Sequence, residues 1–418
     1  MTISAPPRPP RPGDPVDRDE LEALVEALIE EARQRAQRRR RKYTALATLL
    51  ALVGVVALTV YERTAQSQTA TPALAVRSSL AAGAATSKIA FLRDPNGDYG
   101  CCRGDIELWV MNPDGSGQRR LTRKAGGGGG FAPVWSPDAR RIAFVRIRRG
   151  APRPRGGRAI NRDIYVMNAD GSAERRLTNG PAIELFPAWS PNGRKIAFTR
   201  GKIFVGDSDI YVMNADGSAQ RRLTHGALQT FLPAWSPDGR KIAFTGTSGG
   251  TRDVRKTNIY VINADGTGLR QLTQNPNASF PPSPAWSPDG RKIAFASDRN
   301  GDSDIYVMNA DGSGQRRLTP GYMAVWSPDG RKIAFTDDGG VYVMNPDGTG
   351  QRWLSRAAYD FAPFWSPDSR QIVFVYGRPR SAQHIEIYVA NVDGSGARNL
   401  TRNPGDDISA AWSARLRK

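Results

Sequence analysis

Cysteine and histidine are nearly missing from this chain of 418 residues, which has two of each. Two cysteines cannot build a disulfide framework. Because Cys101 and Cys102 are neighbours, they can join each other only through a strained vicinal bridge. Otherwise they stay free or bridge another chain, and an oxidising exterior would permit that. With only His225 and His384, a three-histidine metal site cannot be assembled, and a Ser-His-acid triad has few bases to draw on. Acidic residues are also short, 40 against 59 Lys and Arg, giving a formal net charge of +19. That balance suggests anionic company, with arginine-rich composition as the bland alternative. No segment carries the base-stacking or groove-reading motifs of a nucleic-acid binder.

Uncharged stretches are scarce, and the long one lies at residues 43–61. At about 1.5 Å per helical residue it would span roughly 28 Å, close to the hydrocarbon thickness of a bilayer. Seven Arg and Lys residues crowd positions 33–42 before it, whereas only Glu62 and Arg63 follow closely. The positive-inside rule then places the N-terminus in the cytoplasm and the rest of the chain outside. A cleaved signal peptide is the rival reading. The run exceeds a usual h-region, and the nearest Ala-x-Ala pattern, at 73–75, lies well beyond it. Within residues 16–42, Leu21, Leu24, Val25, Leu28 and Ile29 share one helical face, which predicts a short amphipathic, basic helix. It either continues into the membrane helix or pairs with itself or a cytoplasmic partner. Residues 1–15, rich in Pro, are expected to be disordered, and residues 62–86, rich in Ala, Ser and Thr, to form a flexible linker.

From residue 87 the chain repeats. Trp-Ser-Pro-Asp-Gly-Arg-Lys-Ile-Ala-Phe stands whole at 235–244, 286–295 and 326–335, with near copies elsewhere at a period of roughly 40 to 50 residues. One unit reads as four short strands, A to D. Strand A ends at a Trp, Ser-Pro-Asp-Gly makes a turn, strand B follows as Lys-Ile-Ala-Phe, and strand C as Ile-Tyr-Val-Met-Asn. An Asp-Gly turn then leads to strand D, placed in the clearest copy at residues 271–273. Such a period of β-type runs is the signature of propeller blades.

The phase of the ends matters as much as the period. The first unit opens with strand B, and the chain closes with a lone strand A, so residues 408–413 are expected to pair with residues 89–91. The fold class follows: all-β, a seven-bladed β-propeller over residues 87–418, with its first blade closed by the C-terminal strand and an amphipathic and transmembrane helix before it. Arg pairs such as Arg175 with Arg176 open the D strands. They fit charged protection of an exposed edge, the alternative being an anion site.

The linked motifs, Trp-Ser-Pro-Asp-Gly-Arg-Lys-Ile-Ala-Phe followed by Asp-Ile-Tyr-Val-Met-Asn-Ala-Asp-Gly, resemble the TolB-type propeller repeat over about four-fifths of the chain. They are also similar to the propellers of the prolyl oligopeptidase and dipeptidyl peptidase group. The resemblance implies a propeller that binds or filters while other domains do chemistry. Ala139 and Ser369 replace the turn Gly, Asn192 replaces the turn Asp, and the copy at Trp412 loses the turn. Residues 1–86 hold nothing that could make the α/β domain preceding the TolB propeller, so the resemblance leaves open whether Tol and Pal partners apply.

A search for chemistry finds little. Residues 246–250 fit Gly-x-Ser-x-Gly, but a nucleophile elbow needs a strand before and a helix after its Ser, and a flexible inter-strand loop is expected here. Asp298, Asn300, Asp302 and Asp304, and likewise Asp94, Asn96 and Asp98, crowd single loops without the order of a calcium-binding loop. Asp163, Asp209 and Asp304 are expected to satisfy backbone donors near their C strands. No catalytic residue, metal site or cofactor is assigned.

Unit lengths point to a working surface. In an up-and-down blade the A-to-B and C-to-D turns share one face of the disc, and they keep nearly fixed lengths. The B-to-C and D-to-A loops share the other and vary, as at 92–105, 124–130, 146–162 and 246–256. Tyr99, Arg148, Arg149, Arg153, Arg155, Arg252 and Arg378 are the candidate binding residues on that face. Phe131, Phe231, Tyr322 and Phe361, each four residues before a Trp, form either a rim or an inter-blade core. The sequence thus supports a single-pass, extracytoplasmic, non-catalytic binding or scaffolding propeller. It is expected to be monomeric and to meet an envelope protein or an anionic wall or lipid polymer. The alternatives are a sensor relaying ligand binding to its cytoplasmic segment, and a small-molecule-binding or hydrolytic propeller with a central-channel site.

Overall fold

The computed structural model describes residues 87–95, 106–122, 131–152, 158–201, 208–226, 228–248, 257–274, 283–337, 340–355, 361–377 and 385–414. Among these, every regular element is a β-strand. The expected helices at 16–42 and 43–61, the Pro-rich segment and the linker at 62–86 lie outside the described residues.

Within each group, a strand pairs antiparallel with the next in sequence. Phe131–Trp135, Arg141–Pro152, Arg158–Asn168 and Arg175–Arg176 form one antiparallel A-B-C-D group, and the same order restarts at Ile183, Leu228, Ala285, Tyr322 and Phe361. The first group, Ile89–Asp94, Glu107–Met111 and Arg119–Arg120, takes its missing A strand from Asp406–Trp412. Ile89 faces Trp412, Ala90 faces Ala411 and Phe91 faces Ala410, the pairing implied by the phase of the repeats. Single parallel bridges, Arg162 with Ile183 and Ser208 with Gln229, link neighbouring groups.

The D strand of the clearest copy is shorter than the sequence suggests, although Arg316–Pro320 runs five residues. The copy expected at 271–273 is the pair Arg270–Gln271. Leu272 turns inward instead and is buried, while the Thr273 hydroxyl accepts from the Ile259 amide at 2.9 Å. Thr122, Thr178, Thr224 and Thr401 repeat this cap in their own groups.

Packing between groups explains the apolar runs. Ile242, Ala243 and Phe244 of one B strand are fully buried, and Ile242 and Phe244 share a cluster with Ala188, Ile210 and Val212 of the preceding group. Phe244 stacks on Tyr260 of its own C strand at 5.7 Å. Five of the A-strand Trp side chains reach back one group through the indole nitrogen. Trp189 Nε1 donates to the Val134 carbonyl at 3.2 Å, Trp235 to Ala188 at 3.0 Å, and Trp135 to Ala411 at 3.1 Å, which joins the second group to the C-terminal strand.

The A strands also bulge. Pairing skips between Leu185 and Ala188, between Phe231 and Ala234, and between Tyr322 and Val325, with Phe186, Leu232 and Met323 at positive φ. Phe231 is buried, and Tyr322 packs against an inter-group cluster, so these two belong to the core reading of the aromatic set. The side chains of Phe131 and Phe361 lie outside the described residues.

Candidate functional site

The turns of the fixed face are locked by their own side chains. In the copy after Trp235, the Ser236 hydroxyl donates to Asp238 at 2.6 Å and accepts from the Lys241 amide at 2.9 Å, while the Arg240 amide donates to Asp238 at 3.0 Å. In the C-to-D turn after Asn214, Asp216 accepts from the Ser218 hydroxyl and amide. These bonds, the hydroxyl first, hold the Asp216 carboxyl below its usual range. Any insertion would break this set, which is why these turns keep their length.

Beneath the opposite, variable face lies a belt of paired charges. Arg200 donates to Glu184 at 2.9 Å and sits 4.7 Å from the centre of the Tyr211 ring. Arg93 donates twice to the buried Asp407, at 2.6 and 3.0 Å, and stacks over Trp109. Arg176 reaches Asp163, Arg222 reaches Asp209 and Arg317 reaches Asp304, at 2.7 to 2.9 Å. These aspartates therefore take the second Arg of the D-strand pair as partner, rather than serving only backbone donors. The first Arg staples groups together: Arg119 donates to the Asp170 carbonyl, Arg316 to Asp347, and Arg398 to Pro113 of the first group. Neither role is simple edge protection, and the recurrence of Arg before Leu-Thr was the signal available in the sequence.

Burial governs the acids of this belt. It pushes Glu184 up to about 7, against the opposing charge of Arg200 and with help from Asp163. Burial likewise raises Glu386 and Asp407. Asp407 accepts from Arg93 and Asn403, and Glu386 from the Thr401 hydroxyl and the Asn403 amide. With their oxygens engaged as acceptors, these carboxyls fit support of the loops above them rather than acid-base work. Among the described residues, no group of His, Cys, Asp and Glu could hold a metal ion.

Of the candidate binding residues, the structure places Arg148 and Arg149, and it corrects their setting. They belong to a paired hairpin rather than a loop: Arg148 faces Asn161, Arg149 faces Ile160, and Pro152 faces Arg158. Tyr99, Arg153, Arg155, Arg252 and Arg378 lie outside the described residues, as do Cys101, Cys102 and His384. Gly246, Thr247 and Ser248 are likewise strand rather than loop, with Thr247 paired to Thr257. Asn300 donates to the Tyr306 hydroxyl, and Asp304 is held by Arg317, so that acidic loop is tied into its own group.

Known proteins share this design. The Tol-Pal system protein TolB of Anaeromyxobacter dehalogenans (strain 2CP-C) is 38% identical over 86 residues, 21% of this chain and 17% of that protein. A Protein TolB homolog of Chlorobium luteolum is 32% identical over 131 residues, covering 24% of this chain and 30% of its own. The aligned segments thus span well under half of either relative. A puromycin-hydrolyzing peptidase of Mycobacterium tuberculosis superposes with a TM-score of 0.59 at 15% identity, over 84% of this chain and 55% of the peptidase, a likeness of fold. The TolB beta propeller domain profile matches residues 155–254 and 228–416, more than half of the chain, which therefore belongs to the TolB beta propeller domain family.

Proposed function

We propose that this chain is a membrane-tethered, extracytoplasmic propeller of seven blades. It binds or scaffolds a protein of the cell envelope without catalysis. The observation that carries the reading is the contrast between faces: turns locked by Ser, Asp and backbone bonds on one, and an extended hairpin with length-varied connections on the other. A rigid scaffold presenting divergent loops is a recognition surface. Relatives named for the Tol-Pal system favour an envelope partner. The positive-inside pattern around residues 43–61 supports the topology.

The test is capture from an envelope extract by the full chain, beside a variant with residues 148–161 replaced by Asn-Gly. At least one captured protein is expected to be lost from the variant. An unchanged set would overturn the assignment of the working face. A thermal shift with small metabolites would instead favour a channel site.

A further inference from the structure

In the repeat segment Ser-Pro-Asp-Gly-Arg-Lys, the Arg is held by its backbone and leaves its side chain at the surface. Ser and Asp close the turn, and Gly supplies positive φ. The Pro of one turn packs on the next: a Cβ at Gly193 would lie 3.6 Å from Pro137 Cδ, and the same holds for Gly239 on Pro191 and Gly290 on Pro237. The Arg has its backbone pinned, as at Arg240, where the amide donates to Asp238 and the carbonyl accepts from Ala264. Its side chain, however, is exposed. Arg140, Arg194, Arg240, Arg291, Arg331 and Arg370 occupy this position, and among the described residues none of these guanidinium groups makes a hydrogen bond or ion pair.

These six groups form one arc rather than scattered charges. Consecutive turns touch through the Pro-on-Gly contacts, which continue with Gly330 on Pro288, and the last two are joined by the Asp329 amide donating to Ser369 Oγ at 3.1 Å. Five of the six copies add a second cation at the next position, and the copy at Asn192 lacks the carboxylate. The remaining A-to-B turn aspartates accept from Ser hydroxyls; the seven exposed C-to-D aspartates on the same face, from Asp114 to Asp393, are each offset by a neighbouring D-strand Arg, as Asp170 is by Arg119, and no large apolar side chain lies in the A-to-B turns to anchor a peptide.

The seventh place in the arc is where the described chain begins. Ser87 and Lys88 meet Ser413 at the start of a B strand, through Lys88 N donating to Ser413 Oγ at 2.7 Å. Ser87, the first described residue, therefore stands on the same face as the arginines.

We propose that the fixed-turn face docks on the anionic phospholipid headgroups of the bilayer that the 43–61 segment enters. The inference rests on the membrane-tethered reading above and adds an orientation: arginines toward the lipid, variable loops away. Guanidinium groups pair with phosphate bidentately, and a rigid arc of them matches a flat anionic surface better than it matches a groove-bound ligand.

The full chain is reconstituted into vesicles of phosphatidylcholine alone or with one-third phosphatidylglycerol, and arginine reactivity toward a dicarbonyl reagent is read by mass spectrometry. Retention on neutral vesicles through an alkaline carbonate wash tests the tether separately, so loss of the protein there sinks the membrane reading. Protection of the six arginines by roughly fivefold or more in the anionic vesicles is expected, relieved by high salt, with the exposed Arg402 of a D-to-A connection unchanged. The triple variant Arg194→Gln, Arg240→Gln and Arg291→Gln, at unaltered Tm, should lose the protection of Arg331 and Arg370. Equal reactivity in both vesicles overturns the proposal. Equal protection by soluble polyglutamate on neutral vesicles also overturns it, assigning the face to an acidic protein.

Discussion

Trp189 and Trp326 occupy the same place in the repeat, yet they differ in one bond. The indole nitrogen of Trp189 donates to the Val134 carbonyl, whereas that of Trp326 is buried with no acceptor among the described residues. Replacing each by Phe removes similar apolar contact, but only Trp189→Phe breaks a hydrogen bond and strands a carbonyl. Trp189→Phe should cost about 1 kcal/mol more than Trp326→Phe in urea unfolding; equal losses would remove the Trp staple from the stability argument. Glu184 offers a pH test. Its carboxyl stands at about 7 in the fold against an ordinary 4.5, so the folded state holds the proton more tightly. The resulting stabilisation is fully present below about pH 4.5 and is lost as pH rises through about 7. Relative to Glu184→Gln, which mimics the neutral acid, the native chain should lose on the order of 3 kcal/mol across that window. Unfolding curves that stay parallel from pH 4 to 8 would refute it.

The fixed turns show how local chemistry sets an element. Ala139 and Ser369 stand where other copies have Gly and are held at φ of 56° and 60°. Left-handed backbone costs a residue with a side chain about 1–2 kcal/mol, part of which Gly returns through the freedom it loses on folding. Ala139→Gly should therefore stabilise by about 0.5–1 kcal/mol in denaturant unfolding. Ser369→Gly should not, because Ser369 Oγ accepts from the Asp329 amide. The turns, B strands and C strands were legible in the sequence because their residues act on near neighbours. The hairpin at 141–168 was not, since Pro and Gly around residue 152 read as a loop, and cross-strand pairs such as Arg149 with Ile160 continue the ladder. The D-strand arginines were visible as a pattern, but their partners lie across a strand or in the next group.

Closure belongs to the whole molecule. Asp406–Trp412 supplies the missing strand and Arg398 reaches Pro113, so the C-terminal segment and the last group are both tied to the first, while Trp135 anchors the second group on Ala411 of that closing strand. Removing residues 406–418 should abolish a single cooperative unfolding transition by circular dichroism, because strand Ile89–Asp94 loses its neighbour along one edge. Grafting residues 406–414 ahead of Ser87 through a short linker should restore it. Unchanged cooperativity in the truncated chain would show that the strand is dispensable. Trp412→Ala alone should cost about 3–5 kcal/mol.

By itself, the sequence determined the repeat, the strand order within it and the pairing of last strand with first. Each of these follows from residue types a few positions apart and from the phase of a period. Tertiary structure decided which charges are spent and which are free. Arg176, Arg200 and Arg317 find carboxylates brought up by neighbouring strands, while, among the described residues, the Arg after each Ser-Pro-Asp-Gly turn makes no ion pair. Identical side chains differ there only in what the fold places within about 3 Å, a distance that spacing along the chain cannot encode.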